Sequence, residues 1–259
     1  MKIALMDSGI GLLAAAAALR ELRPDADLVL SSNPASMPWG PHTPEEITAL
    51  ALGCARAAAA FEPDALVIAC NTASVHALDA LRAELEPTLP VIATVPAIKP
   101  AAALGGPVAI WATPATTGSA YQRGLIRDFA GPAAVTEVAC PGLADAIEHG
   151  DEAAIDAAIA DAAARTPAGT AALVLGCTHY ELVADRIRTA VAPAAAAHLT
   201  LHGSADAVAA QALRRVADPA RRGTGTLTVL HAGRSATLPA AVLLYPQGLE
   251  LTAPAAPAA

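Results

Sequence analysis

Two ten-residue segments of this chain, ALVIACNTAS (65–74) and ALVLGCTHYE (172–181), are near duplicates. Each is an aliphatic run that ends at a cysteine, Cys70 in one and Cys177 in the other, 107 positions apart. Hydrogen-bonding residues follow at once: Asn71 and Thr72 after the first, Thr178 and His179 after the second. A second echo runs in the same order. Ile3-Ala4-Leu5-Met6 with Ser8 matches Val108-Ala109-Ile110-Trp111 with Thr113 at an offset of 105. Two ordered matches at nearly one offset predict that the chain folds as two related halves.

The rest of the pattern says what kind of halves these are. Short aliphatic runs alternate with longer helical stretches, as in parallel sheets joined by crossover helices. Strands are expected at 2–6, 28–31, 65–70, 90–94, 107–112, 134–139, 171–176, 198–201 and 225–231. Helices are expected at 12–22, 44–60, 74–85, 117–129, 151–165, 180–191 and 204–217. Arg23-Pro24 stops the first helix. Thr43, Pro44 and Glu46 form a capping box with proline at the first helical position. The expected fold class is α/β, with two pseudo-symmetric doubly wound domains on largely parallel sheets and the active site between them. The first domain takes 1–94 plus 204–259 and the second takes 95–203. The Ala-Pro tail, 252–259, has too little apolar variety to pack and is expected to fray.

Composition narrows the function. Hydrophobic residues make up 54% of the 259, but aromatics only 3%, so the core must be built from Leu, Val, Ile and Ala. The net charge of −8 comes with no basic patch, which argues against nucleic acid as a partner. Asp7 interrupts the first apolar run too early for a signal peptide, and no stretch approaches ~20 large apolar residues. A cytoplasmic protein with reduced cysteines and no membrane partner is expected. The four cysteines, Cys54, Cys70, Cys140 and Cys177, form no C-x-x-C pair and no zinc-spaced cluster, so no metal is expected. Cys54, in an alanine-rich helix, and Cys140, before Pro141-Gly142, read as small buried hydrophobes.

In doubly wound sheets ligands bind beyond the carboxyl ends of the strands, and there the chemistry-bearing residues gather: Asp7-Ser8-Gly9, Cys70-Asn71-Thr72, Thr113 to Thr116 and Gly176-Cys177-Thr178-His179. A cysteine just before a helix is stabilised as thiolate, and the N–H groups there can hold a carboxylate. Asp7 can bind a substrate ammonium or tune a nearby base. His179 can orient or activate Cys177, or donate a proton itself. Gly9-Ile10-Gly11 is not a dinucleotide fingerprint. Two thiols at matching strand ends suit a reaction that removes a proton from one face of a carbon and returns one to the other. The reacting carbon would lie ~3–3.5 Å from each sulfur, with the sulfurs on the order of 7 Å apart. The only lysines, Lys2 and Lys99, stand away from the expected strand ends, which argues against pyridoxal chemistry.

Seven stretches carry a family resemblance: MDSGIG (6–11), PWGPHTPEEI (38–47), LVIACNTAS (66–74), PVIATVPAIKPA (90–101), ATPATTGSAYQR (112–123), ACPGLADAIEHG (139–150) and VLGCTHY (174–180). Together they resemble bacterial glutamate racemase, of the cofactor-independent aspartate/glutamate racemase superfamily, over about residues 1–215. The resemblance implies direct 1,1-proton transfer without metal or other cofactor, glutamate as the small-molecule substrate, D-glutamate for peptidoglycan as the product, and a homodimer. It implies Cys70 as the base serving D-glutamate and Cys177 as the base serving L-glutamate. Asp7 and His179 would assist them, and Glu148 would support the His179 side. Ser8, Asn71, Thr72, Thr113, Thr116 and Thr178 would hold the substrate, with loop contacts from Trp39 and Gly40.

Several positions depart from the family's pattern. Leu12 replaces a glycine, Ser32-Asn33 replaces Gly-Asp, Trp39 replaces a tyrosine, and Glu181 replaces the proline after GCTHY. The stretch that usually ends in Asp-Ser-Gly reads Leu201-His202-Gly203-Ser204, and the C-terminal VLLYPQGLEL lacks the pattern of the family's last helix. These departures keep open a related two-thiol racemase acting on aspartate or a hydantoin, and a ligand-binding paralogue with little catalysis.

Overall fold

The computed structural model describes residues 1–253. The expected fraying of the Ala-Pro tail concerns residues that, past 253, lie outside that range. The chain opens with β1 (Lys2–Asp7), α1 (Leu13–Leu22), β2 (Asp27–Ser32), α2 (Pro44–Ala59), β3 (Ala65–Ile68), α3 (Asn71–His76), α4 (Leu78–Leu85) and β4 (Val91–Ala93). It continues through α5 (Ile98–Ala103), β5 (Val108–Ala112), α6 (Ala120–Phe129), β6 (Val135–Ala139), α7 (Leu143–His149), α8 (Glu152–Arg165), β7 (Ala172–Leu175), α9 (Ala184–Val191) and β8 (Thr200–His202). Then come α10 (Ala205–Arg215), β9 (Leu227–His231), β10 (Arg234–Ser235) and α11 (Pro246–Thr252). Two compact units result: Met1–Val95 with the segment from Ala205 onward, and Pro96–Ser204.

In the first unit the strand order is β10-β9-β2-β1-β3-β4, and every pairing except β10 with β9 is parallel. Strands buried on both faces must be apolar at successive positions, and Ile3 to Met6 and Ala65 to Ile68 are all inaccessible to solvent. Ala4, Met6, Leu66 and Ile68 pack with Ile47, Ala51, Cys54 and Ala58 of α2 and Leu81 of α4. The alternate residues Ile3, Leu5, Ala65 and Val67 point to the opposite face, where α10 packs on β3, β4 and α1. Alanine serves close packing here: Ala14 to Ala18 of α1 are all buried. At the start of α2 the Thr43 hydroxyl accepts the Glu46 N–H at 3.3 Å, while Glu46 accepts the Thr43 N–H at 2.9 Å.

In the second unit the order is β6-β5-β7-β8, all parallel. This is the first unit's β2-β1-β3-β4 order with each strand replaced by the one four places later. Val108, Ile110, Ala172 and Val174 pack against Ile98 and Ala101 of α5 and Leu125 and Ile126 of α6. On the other face Trp111 is fully buried, and its indole N–H donates to the Thr166 hydroxyl at 2.8 Å, just past α8.

The helices differ from the sequence expectation in ways that bear on the site. The expected helix 74–85 is two helices, and the first begins three residues earlier, directly after Cys70. The break falls at Ala77, whose φ of −114° departs from the helical value. The expected helix 180–191 begins as a 3₁₀ helix over Thr178–Val183 and becomes α-helical only at Ala184. Three short helices, α5, α7 and α11, were not expected. α7 is seven residues bounded by Gly142 and Gly150 at φ 73° and 67°, too short to show a helical period. α11 lies in the C-terminal stretch that departs from the family's pattern, and Pro246 occupies its first turn.

One carboxylate gathers four donors from the loop before β9. Asp27 accepts hydrogen bonds from the N–H and hydroxyl of Thr224, at 2.9 and 3.0 Å, and from those of Thr226, at 3.0 and 2.8 Å. Burial opposes its ionisation, but the four bonds outweigh that and lower its pKa to about 2. A folded-state pKa below the unfolded value of ~3.9 contributes stability above that value, and the contribution is lost as pH falls through the folded pKa. Asp27→Ala should therefore cost about 1–3 kcal/mol in urea denaturation at pH 7. The difference from the parent should shrink as pH falls from about 4 to about 2.

Candidate active site

Within the first unit, register decides which side chains meet. Met6 pairs with Ile68 across β1 and β3, and the Ala69 N–H donates to the Met6 carbonyl at 2.8 Å. Asp7 and Cys70 thus leave neighbouring strands about 4.8 Å apart, one residue out of step. Asp7 is completely buried. Its Oδ1 accepts the Ser8 N–H at 2.5 Å and the Ser8 hydroxyl at 3.0 Å, which orients the carboxylate and occupies Ser8. Cys70 is the N-cap of α3, and the Ala73 N–H points at its Sγ at 3.5 Å. A donor aimed at sulfur favours the thiolate. Asn71 is buried in the first turn of α3 and Thr72 is half-buried.

Two residues bracing Cys70 went unnoticed in the sequence. Thr94, just past β4, donates its N–H to the Ile68 carbonyl at 3.1 Å and to the Ser74 hydroxyl at 3.2 Å. The signal was available, since Ser74 belongs to the CNTAS segment and Thr94 follows a strand's carboxyl end. Trp39 is buried in the cluster that includes Cys70, and its indole N–H donates to the Ser36 hydroxyl at 2.9 Å. Any contribution of Trp39 to a ligand is then apolar. Gly40 beside it is half-exposed.

In the second unit the carboxyl ends of β5 and β7 bring Thr113 and Cys177 to one edge of the sheet. The Thr113 and Thr116 hydroxyls lie 3.2 Å apart in one turn, and Thr178 is buried at the head of the 3₁₀ helix. Cys177 Sγ lies 4.0 Å from His179 Nδ1. His179 Nε2 lies 2.9 Å from Glu148 Oε2, and both residues are more than nine-tenths buried. With a carboxylate on Nε2, the imidazole keeps its proton there and presents Nδ1 to the thiol as an acceptor. The row thiol–imidazole–carboxylate can thus take up or return a proton at sulfur. Glu148 comes from α7, so the helix invisible to periodicity carries the last member of the row. The Tyr180 hydroxyl donates to the Cys140 carbonyl at 3.3 Å, which fixes the turn from behind.

The other two cysteines are poorly suited to act as bases. Burial pushes the thiols of Cys54 and Cys140 up to about 12, helped at Cys54 by the charge of Asp7. None of the four cysteines is in a disulfide. Among the described residues no group of His, Cys, Asp and Glu is arranged to hold a metal ion, and no helix is long and apolar enough to cross a membrane.

Comparison with known proteins points one way. A profile of the Asp/Glu/hydantoin racemase family matches residues 12–212. The glutamate racemase of Roseiflexus sp. (strain RS-1) is 39% identical over 194 residues, covering 72% of this chain and 70% of that protein. The glutamate racemase of Herpetosiphon aurantiacus is 36% identical over 221 residues, covering 83% of this chain and 84% of that protein. Among solved structures, Escherichia coli glutamate racemase in complex with L-glutamate and the activator UDP-MurNAc-ala superposes with a TM-score of 0.76 at 25% identity, covering 91% of this chain and 99% of that one.

The placement of Cys177 rests on Gly176. The Gly176 N–H donates to the Trp111 carbonyl at 2.7 Å, and a Cβ at position 176 would lie 2.8 Å from that same oxygen. The obstacle is backbone in a buried strand, so relief requires β5 and β7 to part. Gly176→Ala should lower stability by about 2–3 kcal/mol, measured by thermal or urea denaturation.

Proposed function

We propose that this chain, which belongs to the Asp/Glu/hydantoin racemase family, is a glutamate racemase that interconverts L- and D-glutamate by two-base 1,1-proton transfer. The observation that carries the reading is the pair of cysteines following equivalent strands, β3 and β7, in two sheets that share a four-strand order. Equivalent positions on duplicated scaffolds suit a reaction whose forward and reverse directions are chemically the same.

Cys177 as thiolate removes the Cα proton of L-glutamate while Cys70 as thiol returns a proton to the opposite face. For D-glutamate the roles exchange. The carbanion that develops needs a preorganised polar cradle, since an amino-acid Cα–H is a very weak acid. Ser8, Asn71, Thr72, Thr113, Thr116 and Thr178 supply that cradle, with Trp39 and Gly40 lining it. Asp7 assists Cys70, and His179 backed by Glu148 assists Cys177. The lysines support a mechanism without a Schiff base. Lys2, at the amino end of β1, donates to the Phe61 carbonyl, and Lys99 is exposed on α5. The enzyme works in the cytoplasm as a homodimer and supplies D-glutamate for peptidoglycan.

The decisive measurement is Cα exchange in D₂O without added cofactor. Both glutamate enantiomers should gain deuterium at Cα, and L-aspartate and a substituted hydantoin should be turned over at least about a hundredfold more slowly. Exchange with neither glutamate enantiomer would remove the reading. Cys70→Ser and Cys177→Ser should each lower racemisation by more than about a thousandfold, read by circular dichroism of the substrate.

A further inference from the structure

The 3₁₀ helix that carries Thr178 and His179 is held by little of its own. Such a helix has poorer hydrogen-bond geometry than an α-helix, and no side-chain bond caps it at Cys177. Side-chain ties hold it in place, among them His179 to Glu148, Tyr180 to the Cys140 carbonyl, and Glu181 to Ser204. The third consists of residues that depart from the family pattern.

Glu181 Oε1 accepts both the Ser204 N–H and the Ser204 hydroxyl, each at 2.8 Å. Gly203 makes room for this carboxylate. A Cβ at position 203 would fall 2.3 Å from Glu181 Oε2 and 2.8 Å from its Cδ. The meeting point is set by the sheet. His202 is level with Val174 in the parallel register of β8 and β7, so continuing that register puts Gly203 level with Leu175, the last residue of β7, and Ser204 level with Gly176, just before Cys177. The substitution of Glu181 for proline and the Gly203-Ser204 sequence are therefore one physical device: a carboxylate, the gap that admits it, and the paired donors that hold it.

We propose that Glu181, clamped by Ser204 in the gap left by Gly203, is a positioning residue for the Cys177–His179 base and not for Cys70. The inference rests on the racemase reading. Cys177 Sγ and His179 Nδ1 stand 4.0 Å apart, at the outer limit of a sulfur hydrogen bond. Small shifts of the 3₁₀ helix consequently change proton transfer steeply, and displacement on the order of 1 Å can cost a hundredfold.

The test is a comparison of primary isotope effects. α-Deuterated L-glutamate loses its deuteron to Cys177, and α-deuterated D-glutamate loses its deuteron to Cys70. In Glu181→Ala, kcat should fall about tenfold in both directions with KM changed less than about twofold. Transfer at Cys177 then becomes more rate-limiting, so the isotope effect on kcat/KM should rise for L-glutamate and fall for D-glutamate. Gly203→Ala, which displaces the carboxylate without removing it, should give the same opposed change. Glu181→Gln retains an oxygen acceptor for both Ser204 donors and should restore kcat to within about threefold of the parent. General loosening of the fold would move the two isotope effects together. Effects that stay unchanged, move together, or move in the reverse senses overturn the inference, as does parental kcat in Glu181→Ala. If the parent racemises glutamate and the variants match it, only this inference fails. If the parent exchanges hydrogen with neither enantiomer, the racemase reading fails and takes the inference with it.

Discussion

The main-chain registers of β1 with β3 and of β5 with β7 are the constraint on which the rest of the structure depends. These central strands are buried on both faces, so their side chains are committed to packing and their backbone groups to each other. Nothing along them is available for chemistry. The first residues released are those at and just past the carboxyl ends, and there Asp7, at the end of β1, and Cys70, Thr113 and Cys177, beyond β3, β5 and β7, stand. A slip by one residue would turn every strand side chain to the other face and would carry the reactive groups out of line. The closeness this demands is seen at Gly176, where even a methyl group would strike the neighbouring backbone.

The two units share strand order but not the means of supporting their cysteines. After Cys70 the chain enters α3 at once, and a backbone N–H reaches the sulfur. After Cys177 it enters a 3₁₀ helix, where no side-chain cap forms. A buried imidazole stands beside that sulfur instead, with a buried carboxylate on its far nitrogen. A backbone N–H does not serve as an acid or base near neutral pH, whereas an imidazole does, so the groups next to the two sulfurs differ in kind.

Departures from the family pattern read differently in three dimensions than along the chain. Glu181 and the His202-Gly203-Ser204 stretch lie far apart in sequence and look like independent losses. In the structure the carboxylate of one is held by the serine of the other. Trp39 likewise sits in the core cluster that includes Cys70, with its N–H engaged by Ser36.

The sequence by itself determined the α/β class, the approximate positions of every described strand but β10, and the chemistry-bearing strand ends, because buried parallel strands must be continuous aliphatic runs and because duplication leaves matched spacings. Cys70, Cys177, Asp7 and His179 were legible for that reason. Glu148 was legible only through a motif, since α7 is shorter than the span over which periodicity shows. Tertiary structure alone decided that Glu148 reaches His179, that Ser74 and Thr94 brace the Cys70 turn, and that Glu181 closes on Ser204. Each of these is a contact between residues brought together by packing, and side-chain contacts between elements leave no period in the sequence that specifies them.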